Sequence, residues 1–252
     1  MAFLLRNSMR FLTATNMTQN DGLRCNRMPL TCLACAVNIV GLIAKSSMSC
    51  RIKRVGVTGG IGTGKTTVCQ FLRALGCEIF SADTEAKRLQ ETDPDVIAGM
   101  KNIFGEAIYE NGIPNRKRIA EIIFHDEQKL SELHALIHPK VFRAFDEAAQ
   151  RAEAEGKTMI VKEAAILFES GGEKGLDAVL VVAANLDLRL ARLKARGLSE
   201  ADSLARISRQ LPQEELLKRA DVVIWNNGSL HQLETETQRA YHELLALPYR
   251  PV

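Results

Sequence analysis

Residues 54–58, Arg-Val-Gly-Val-Thr, form a short β-branched run entering a glycine-rich turn, the pattern of a buried strand. After Lys65 the period changes. Val68, Phe71, Leu72 and Leu75 recur at helical spacing, and Gly76 supplies a C-terminal stop. Further short apolar runs lie at 78–80, 158–161, 178–183 and 221–225. Runs that are continuous rather than alternating, and separated by helical stretches, predict a parallel sheet covered on both faces. The expected fold class is an open α/β sheet of five strands, opened by a strand–turn–helix unit.

The segment between the second and third runs is too long for a simple crossover. Its pattern predicts helices over 95–104, 115–124 and 126–154, broken at Asn111-Gly-Ile-Pro114 and again at His138-Pro139. Such a block reads as a helical insertion that covers an acceptor substrate. A second helical segment, 185–210, carries Arg189, Arg192, Arg196, Arg206 and Arg209. Either these form a solvated basic face with i,i+3 and i,i+4 neighbours, or they belong to a lid that brings arginine to nucleotide phosphates. Residues 1–50 show no sustained period. The apolar stretch from Leu30 to Ala44 is interrupted by Thr31, Asn38 and Gly41, and falls short of the roughly 20 residues that span a bilayer. The extension reads as a disordered tail, a targeting segment, or sequence preceding a true start at Met48. The last fits best, because Met48 stands just before the first strand.

Composition adds mainly exclusions. The chain has 252 residues, 46% of them hydrophobic and 25% charged, which is ordinary for a globular protein with room for an inserted domain. The net charge of +3 is unevenly placed. Arg6, Arg10, Arg24, Arg27 and Lys45 oppose only Asp21 in the extension, so the body is close to neutral. A neutral body gives no support to nucleic-acid binding. Cysteine follows the same division: Cys25, Cys32, Cys35 and Cys50 precede the body, which holds Cys69 and Cys77. The Cys32-Leu-Ala-Cys35 spacing has no second pair at zinc-site distance, and a body with two cysteines suits a reducing cytosol.

The candidate chemistry starts in the first turn. Gly59, Gly64, Lys65 and Thr66 satisfy G-x-x-x-x-G-K-[ST], placed after a strand and opening a helix, as a phosphate-binding P-loop requires. The loop amides would wrap phosphate oxygens, Lys65 would reach the β- and γ-phosphates, and the Thr66 hydroxyl would face Mg²⁺. Asp83 follows the second strand, so it should share the P-loop crevice. It suits a general base, the N-cap of a helix over 84–90, or a carboxylate near Mg²⁺. Lys162-Glu163 and Phe168-Glu169 flank an apolar stretch at the end of the third strand, as functional groups or as solvated charges. No second Asp ends an apolar strand in the Walker-B manner, and no Asn-Lys-x-Asp reads guanine, so motor ATPases and GTPases are disfavoured. His125, His134 and His138 read as structural, Trp225 as packing, and Asn226-Asn227-Gly228 as a turn.

Five ordered stretches carry a resemblance. They are Val57-Thr-Gly-Gly-Ile-Gly-Thr-Gly-Lys-Thr-Thr67, Ser81-Ala-Asp-Thr-Glu-Ala-Lys-Arg-Leu89, Ile137-His-Pro-Lys140, Ala165-Ile-Leu-Phe-Glu169 and Ala220-Asp-Val-Val-Ile-Trp-Asn-Asn-Gly228. With them the chain from about Arg51 to Leu247 resembles the dephospho-coenzyme A kinases; residues 1–50 have no counterpart. The resemblance implies a P-loop NTPase-type three-layer core (51–92, 156–184 and 220–247), a helical coenzyme A-binding domain (93–155) and a lid (185–219). It implies an ATP- and Mg²⁺-dependent transfer to the ribose 3′-hydroxyl of dephospho-coenzyme A in the cytoplasm, by a monomer or weak homo-oligomer with no membrane or nucleic-acid partner. It implies catalytic roles for Asp83 and Lys65, and ATP contacts from Gly60, Ile61, Gly62, Thr63, Gly64, Lys65, Thr66 and Thr67. Arg192, Arg196, Asn227 and Gly228 complete the implied ATP site; His138, Leu167, Phe168 and Glu169, with Asp83, make the acceptor site; Thr66 is the metal ligand. Ser81 stands where the family often has Asp, and Ala165 where it often has Pro. Another P-loop small-molecule kinase, of the nucleoside monophosphate type, and a non-catalytic nucleotide switch are the competing readings.

Overall fold

The computed structural model describes residues 51–251. The readings made for residues 1–50 fall outside the described residues. The core is a five-stranded sheet built from β1 (Lys53–Thr58), β2 (Glu78–Ser81), β5 (Met159–Glu163), β6 (Ala178–Ala183) and β7 (Val222–Trp225). Every pairing is parallel, in the spatial order β2-β5-β1-β6-β7. All six residues of β6 are buried, which explains why the central runs lack alternation. On one face, Val55, Val57, Leu180 and Val182 pack under α1 (Lys65–Ala74) and α9 (Leu230–Ala246) through Leu72, Leu233 and Leu244. The other face, with Ile160, Val179 and Val181, is covered by Phe145 and Ala149.

Helix α1 ends as its sequence requires. Gly76 takes φ 92°, and the Gly76 and Cys77 amides return to the Arg73 and Leu72 carbonyls, closing a Schellman motif. The long segment after β2 holds α2 (Ala82–Thr92), α3 (Pro94–Phe104), α4 (Arg116–His125) and α5 (Glu127–Ala154). Between α3 and α4 a small hairpin pairs β3 (Tyr109–Glu110) with β4 (Ile113–Pro114). Its turn is Asn111-Gly112, both at positive φ (51° and 80°), as a tight two-residue hairpin demands. The expected break at His138-Pro139 is absent: α5 runs through Pro139. Its buried stripe of Leu133, Ile137, Val141, Phe145, Ala149 and Ala152 continues on both sides, and that packing outweighs the one backbone hydrogen bond that proline removes. The arginine-bearing segment 185–210 is likewise not one helix but α6 (Leu186–Ala195) and α7 (Glu200–Ile207), and α8 (Gln213–Lys218) follows it.

At the end of the sheet opposite the phosphate loop the C-terminal segment folds back across β1. Lys53, only 1% exposed, directs its ammonium to the Leu247 and Pro248 carbonyls. Arg51 pairs with Asp177, which also accepts from the Arg250 amide at 3.1 Å. Among the described residues, no helix is long and apolar enough to cross a membrane.

Candidate active site

The turn after β1 lies at the carboxyl end of the sheet, where ligands of open α/β folds collect. Gly64 occupies φ 98°, and a Cβ there would stand 2.4 Å from the Asn226 amide nitrogen. That amide donates to the Thr63 carbonyl at 2.8 Å, so β7 braces the loop from behind. Thr63 is fully buried and its hydroxyl bonds the Gly60 carbonyl at 2.9 Å. Lys65 curls over the loop and donates to the Gly59 and Gly60 carbonyls at 2.7 and 3.0 Å. Burial pushes its pKa down to about 8, against the opposing pull of Glu163 and then Asp83.

Thr66, at the start of α1, donates to Glu163 Oε1 at 2.8 Å. Glu163 ends β5, the strand beside β1, and so provides the strand-end carboxylate that the sequence pattern lacked as an Asp. Lys162 interrupts the apolar run just before it and made the strand end look solvated. The parallel register Val57↔Glu163 was the missing information. A hydroxyl and a carboxylate this close make a fitting pair for Mg²⁺, which keeps several waters and phosphate oxygens of its own. Among the described residues no group of three or more His, Cys, Asp or Glu could hold a metal, so a protein-only cage is not the arrangement here.

The arginines sort unexpectedly. Arg189 is 6% exposed, donates through Nε to the Ile61 carbonyl at 2.9 Å, and packs so closely that a Cβ on Gly60 would meet its Nη2 at 2.4 Å. Burial lowers its pKa from the usual arginine range. Arg192 reaches the Gly62 carbonyl at 3.3 Å and the Asn226 carbonyl at 2.9 Å. Arg196 is the C-cap of α6, exposed to solvent beyond the last turn of that helix. Helical spacing ranked these residues alike; the direction in which α6 leaves the sheet separates them. Gln210, also missed, accepts from the Ile61 amide at 2.7 Å and donates to the Ala165 carbonyl at 3.3 Å. Asn227 pairs with Asn185, and Gly228 leads into the Ser229 capping box of α9.

Beside the phosphate loop lies a cavity of about 190 Å³, lined by Asp83, His134, His138, Phe142, Lys162 and Ser170 among others. Asp83 is exposed, in the first turn of α2, whose N-cap is Ser81; its reading as the N-cap therefore fails. Phe80 and Ala82 pack into both core clusters beside it, and the helix starts two residues earlier than expected. His134, His138 and Phe142 stack along one face of α5, with ring centroids 4.5 and 6.0 Å apart. Burial, then His134 and Lys162, push the His138 pKa down to about 4.

Three expected acceptor residues, Leu167, Phe168 and Glu169, do not line this cavity. Leu167 is 0% exposed, with its methyl groups under β1 where Gly56 leaves room for them. Phe168 is buried beneath the Arg219 guanidinium, 5.4 Å from its ring centroid. The turn after β5 folds inward, so Ala164, Ile166 and Ser170 line the cavity instead. Glu169 accepts from the Leu211 amide at 3.0 Å. Trp225, expected to pack, is 49% exposed because β7 is an edge strand.

A strand–phosphate loop–helix unit with a facing strand-end carboxylate, on this sheet order, defines a P-loop kinase. The family model "Dephospho-CoA kinase" matches residues 53–232. A dephospho-CoA kinase of Chlorobaculum tepidum is 48% identical over 198 residues, covering 77% of this chain and 95% of that protein. One from Salinibacter ruber is 44% identical, covering 74% of this chain and 95% of the relative. Among solved structures, TT1252 from Thermus thermophilus superposes with TM-score 0.68 at 37% identity, covering 77% of this chain and 98% of the other. The dephospho-CoA kinase from Campylobacter jejuni does so with TM-score 0.58 at 28% identity, covering 76% and 96%. The chain belongs to the dephospho-CoA kinase family.

Proposed function

We propose that this chain phosphorylates the ribose 3′-hydroxyl of dephospho-coenzyme A with ATP, giving coenzyme A and ADP, the last step of coenzyme A synthesis. One observation carries the reading. Asp83 both lines the cavity and acts electrostatically on Lys65, so donor loop and acceptor cavity meet at a single carboxylate.

The division of labour follows from the side chains. The loop amides at the α1 N-terminus take the triphosphate, aided by the helix dipole. Lys65 exchanges the Gly59 and Gly60 carbonyls for phosphate oxygens. Thr66 and Glu163 would hold Mg²⁺, which when bound would neutralise charge on the transferring phosphoryl group. Asp83 accepts the proton of the attacking hydroxyl. Arg192 lies at the loop's rim, placed for phosphate contact, and Arg189 fixes the loop from outside. Residues 93–155 act as the acceptor domain, 185–219 as the lid, and the remaining strands and helices as the core. Closing the two over the core keeps water from wasting ATP.

An ADP-release assay with an acceptor panel tests the reading. Rapid ATP consumption is expected with dephospho-coenzyme A and not with AMP, CMP or dTMP. Turnover on a nucleoside monophosphate instead would make the chain a nucleotide kinase. Slow turnover on every acceptor, with tight ATP binding, would make it a switch.

A further inference from the structure

Lys162 is a charged group of the cavity with no part in the division above. It stands on β5, where a strand covered on both faces asks for an apolar residue, and it is 3% exposed. Its ammonium donates to the Gly172 carbonyl at 3.2 Å and lies 4.3 Å from the Phe142 ring centroid and 5.2 Å from that of Phe145. It has no ion-pair partner among the described residues; Asp146 and Glu173 act on it only from a distance. A buried ammonium without a carboxylate costs stability, and two ring faces offset only part of that cost. The cation nevertheless forms part of the cavity wall that Asp83 shares.

We propose that Lys162 is the acceptor-binding cation of this site: its ammonium meets an anionic oxygen of the acceptor's 5′-diphosphate while Asp83 faces the ribose 3′-hydroxyl. The inference rests on dephospho-coenzyme A as the acceptor. Its diphosphate and its 3′-hydroxyl sit on one ribose, so a cavity that presents the hydroxyl to Asp83 needs a counter-charge for the diphosphate nearby. Lys65 serves the donor, which leaves Lys162 as the cation in the cavity wall.

The test uses the full chain carrying Lys162→Met or Lys162→Arg. Methionine keeps the unbranched stem between the two phenylalanines, so the melting temperature should hold or rise. Lys162→Met is expected to raise KM for dephospho-coenzyme A by at least about 10-fold and to leave KM for ATP within about twofold, the scale of one charge-assisted contact. Lys162→Arg should recover most of the loss. An acceptor KM within twofold in Lys162→Met, or equal rises in both KM values with a lower melting temperature, would overturn the proposal. No phosphorylation of dephospho-coenzyme A by the unsubstituted chain would instead overturn the functional reading beneath it.

Discussion

Replacing Glu163 by glutamine isolates the charge at the end of β5 while keeping an acceptor for the Thr66 hydroxyl, 2.8 Å away. Two independent routes give the size of the effect. A hydrogen bond to a charged group contributes about 1.5–3 kcal/mol, roughly twice a neutral one, so neutralising it loses about 1 kcal/mol or somewhat more. Removing a carboxylate that orients a metal and its waters typically lowers affinity or activity by about 10–100-fold, or about 1.4–2.7 kcal/mol. The two ranges overlap, so kcat at moderate Mg²⁺ should fall by about 10–100-fold, with partial recovery at high Mg²⁺. A second signature separates this from a folding defect. Glu163 is the leading influence that holds the proton on Lys65, whose pKa lies at about 8. Without that carboxylate Lys65 loses its proton more readily, so the alkaline limb of kcat/KM for ATP should move to lower pH. The measurements are a coupled ADP-release assay titrated with Mg²⁺ and repeated from acid to alkaline pH on both sides of the Lys65 pKa. An unchanged Mg²⁺ half-saturation together with an unmoved alkaline limb would refute the assignment of Glu163 to the donor site.

Asp83→Asn should lower kcat by at least about 10²-fold with KM for ATP little changed, the scale of a lost general base; near-normal turnover would remove Asp83 from that role. Leu167→Ala should destabilise the chain by about 2–5 kcal/mol in denaturant titration, because the side chain is fully buried. The folded variant should keep its acceptor KM, and a large KM rise at unchanged stability would restore Leu167 as a substrate contact. His138 has a folded pKa of about 4, below its ordinary 6.5, so the folded state binds fewer protons than the unfolded state across that interval. Its neutral form therefore stabilises the fold above pH 6.5, and that contribution is lost as pH falls towards 4, by at most about 3 kcal/mol and less with solvent screening. Melting curves across this range should slope less steeply for His138→Gln; parallel slopes would deny the linkage.

The sheet was legible because its strands are buried on both faces, and continuous apolar runs of this length between helical stretches fit little else. Strand order was not, since parallel pairing leaves no mark on either partner alone. Glu163 escaped for that reason: it becomes a neighbour of Thr66 only through the β1–β5 register. Pro139 misled in the opposite sense, because a local rule about backbone hydrogen bonds was outweighed by a buried stripe extending to either side. Within the site, the loop motif gave residue types and positions directly. The inward turn of Leu167 and the choice among Arg189, Arg192 and Arg196 depended on the direction of the chain after a strand end, which spacing does not encode.

The backfolding of the C-terminal segment over Lys53 has a topological meaning. Arg51 and Arg250 meet, the guanidinium of the first lying 3.4 Å from the carbonyl oxygen of the second, at the pole opposite the phosphate loop. In contact terms the described chain is nearly a closed ring. A short linker from residue 250 to residue 51 would complete it, and new ends could be cut at a surface turn such as Gly197-Leu198. Chain joined at residue 51 or 250 departs from the described residues at that far pole, at the other end of the sheet from the phosphate loop.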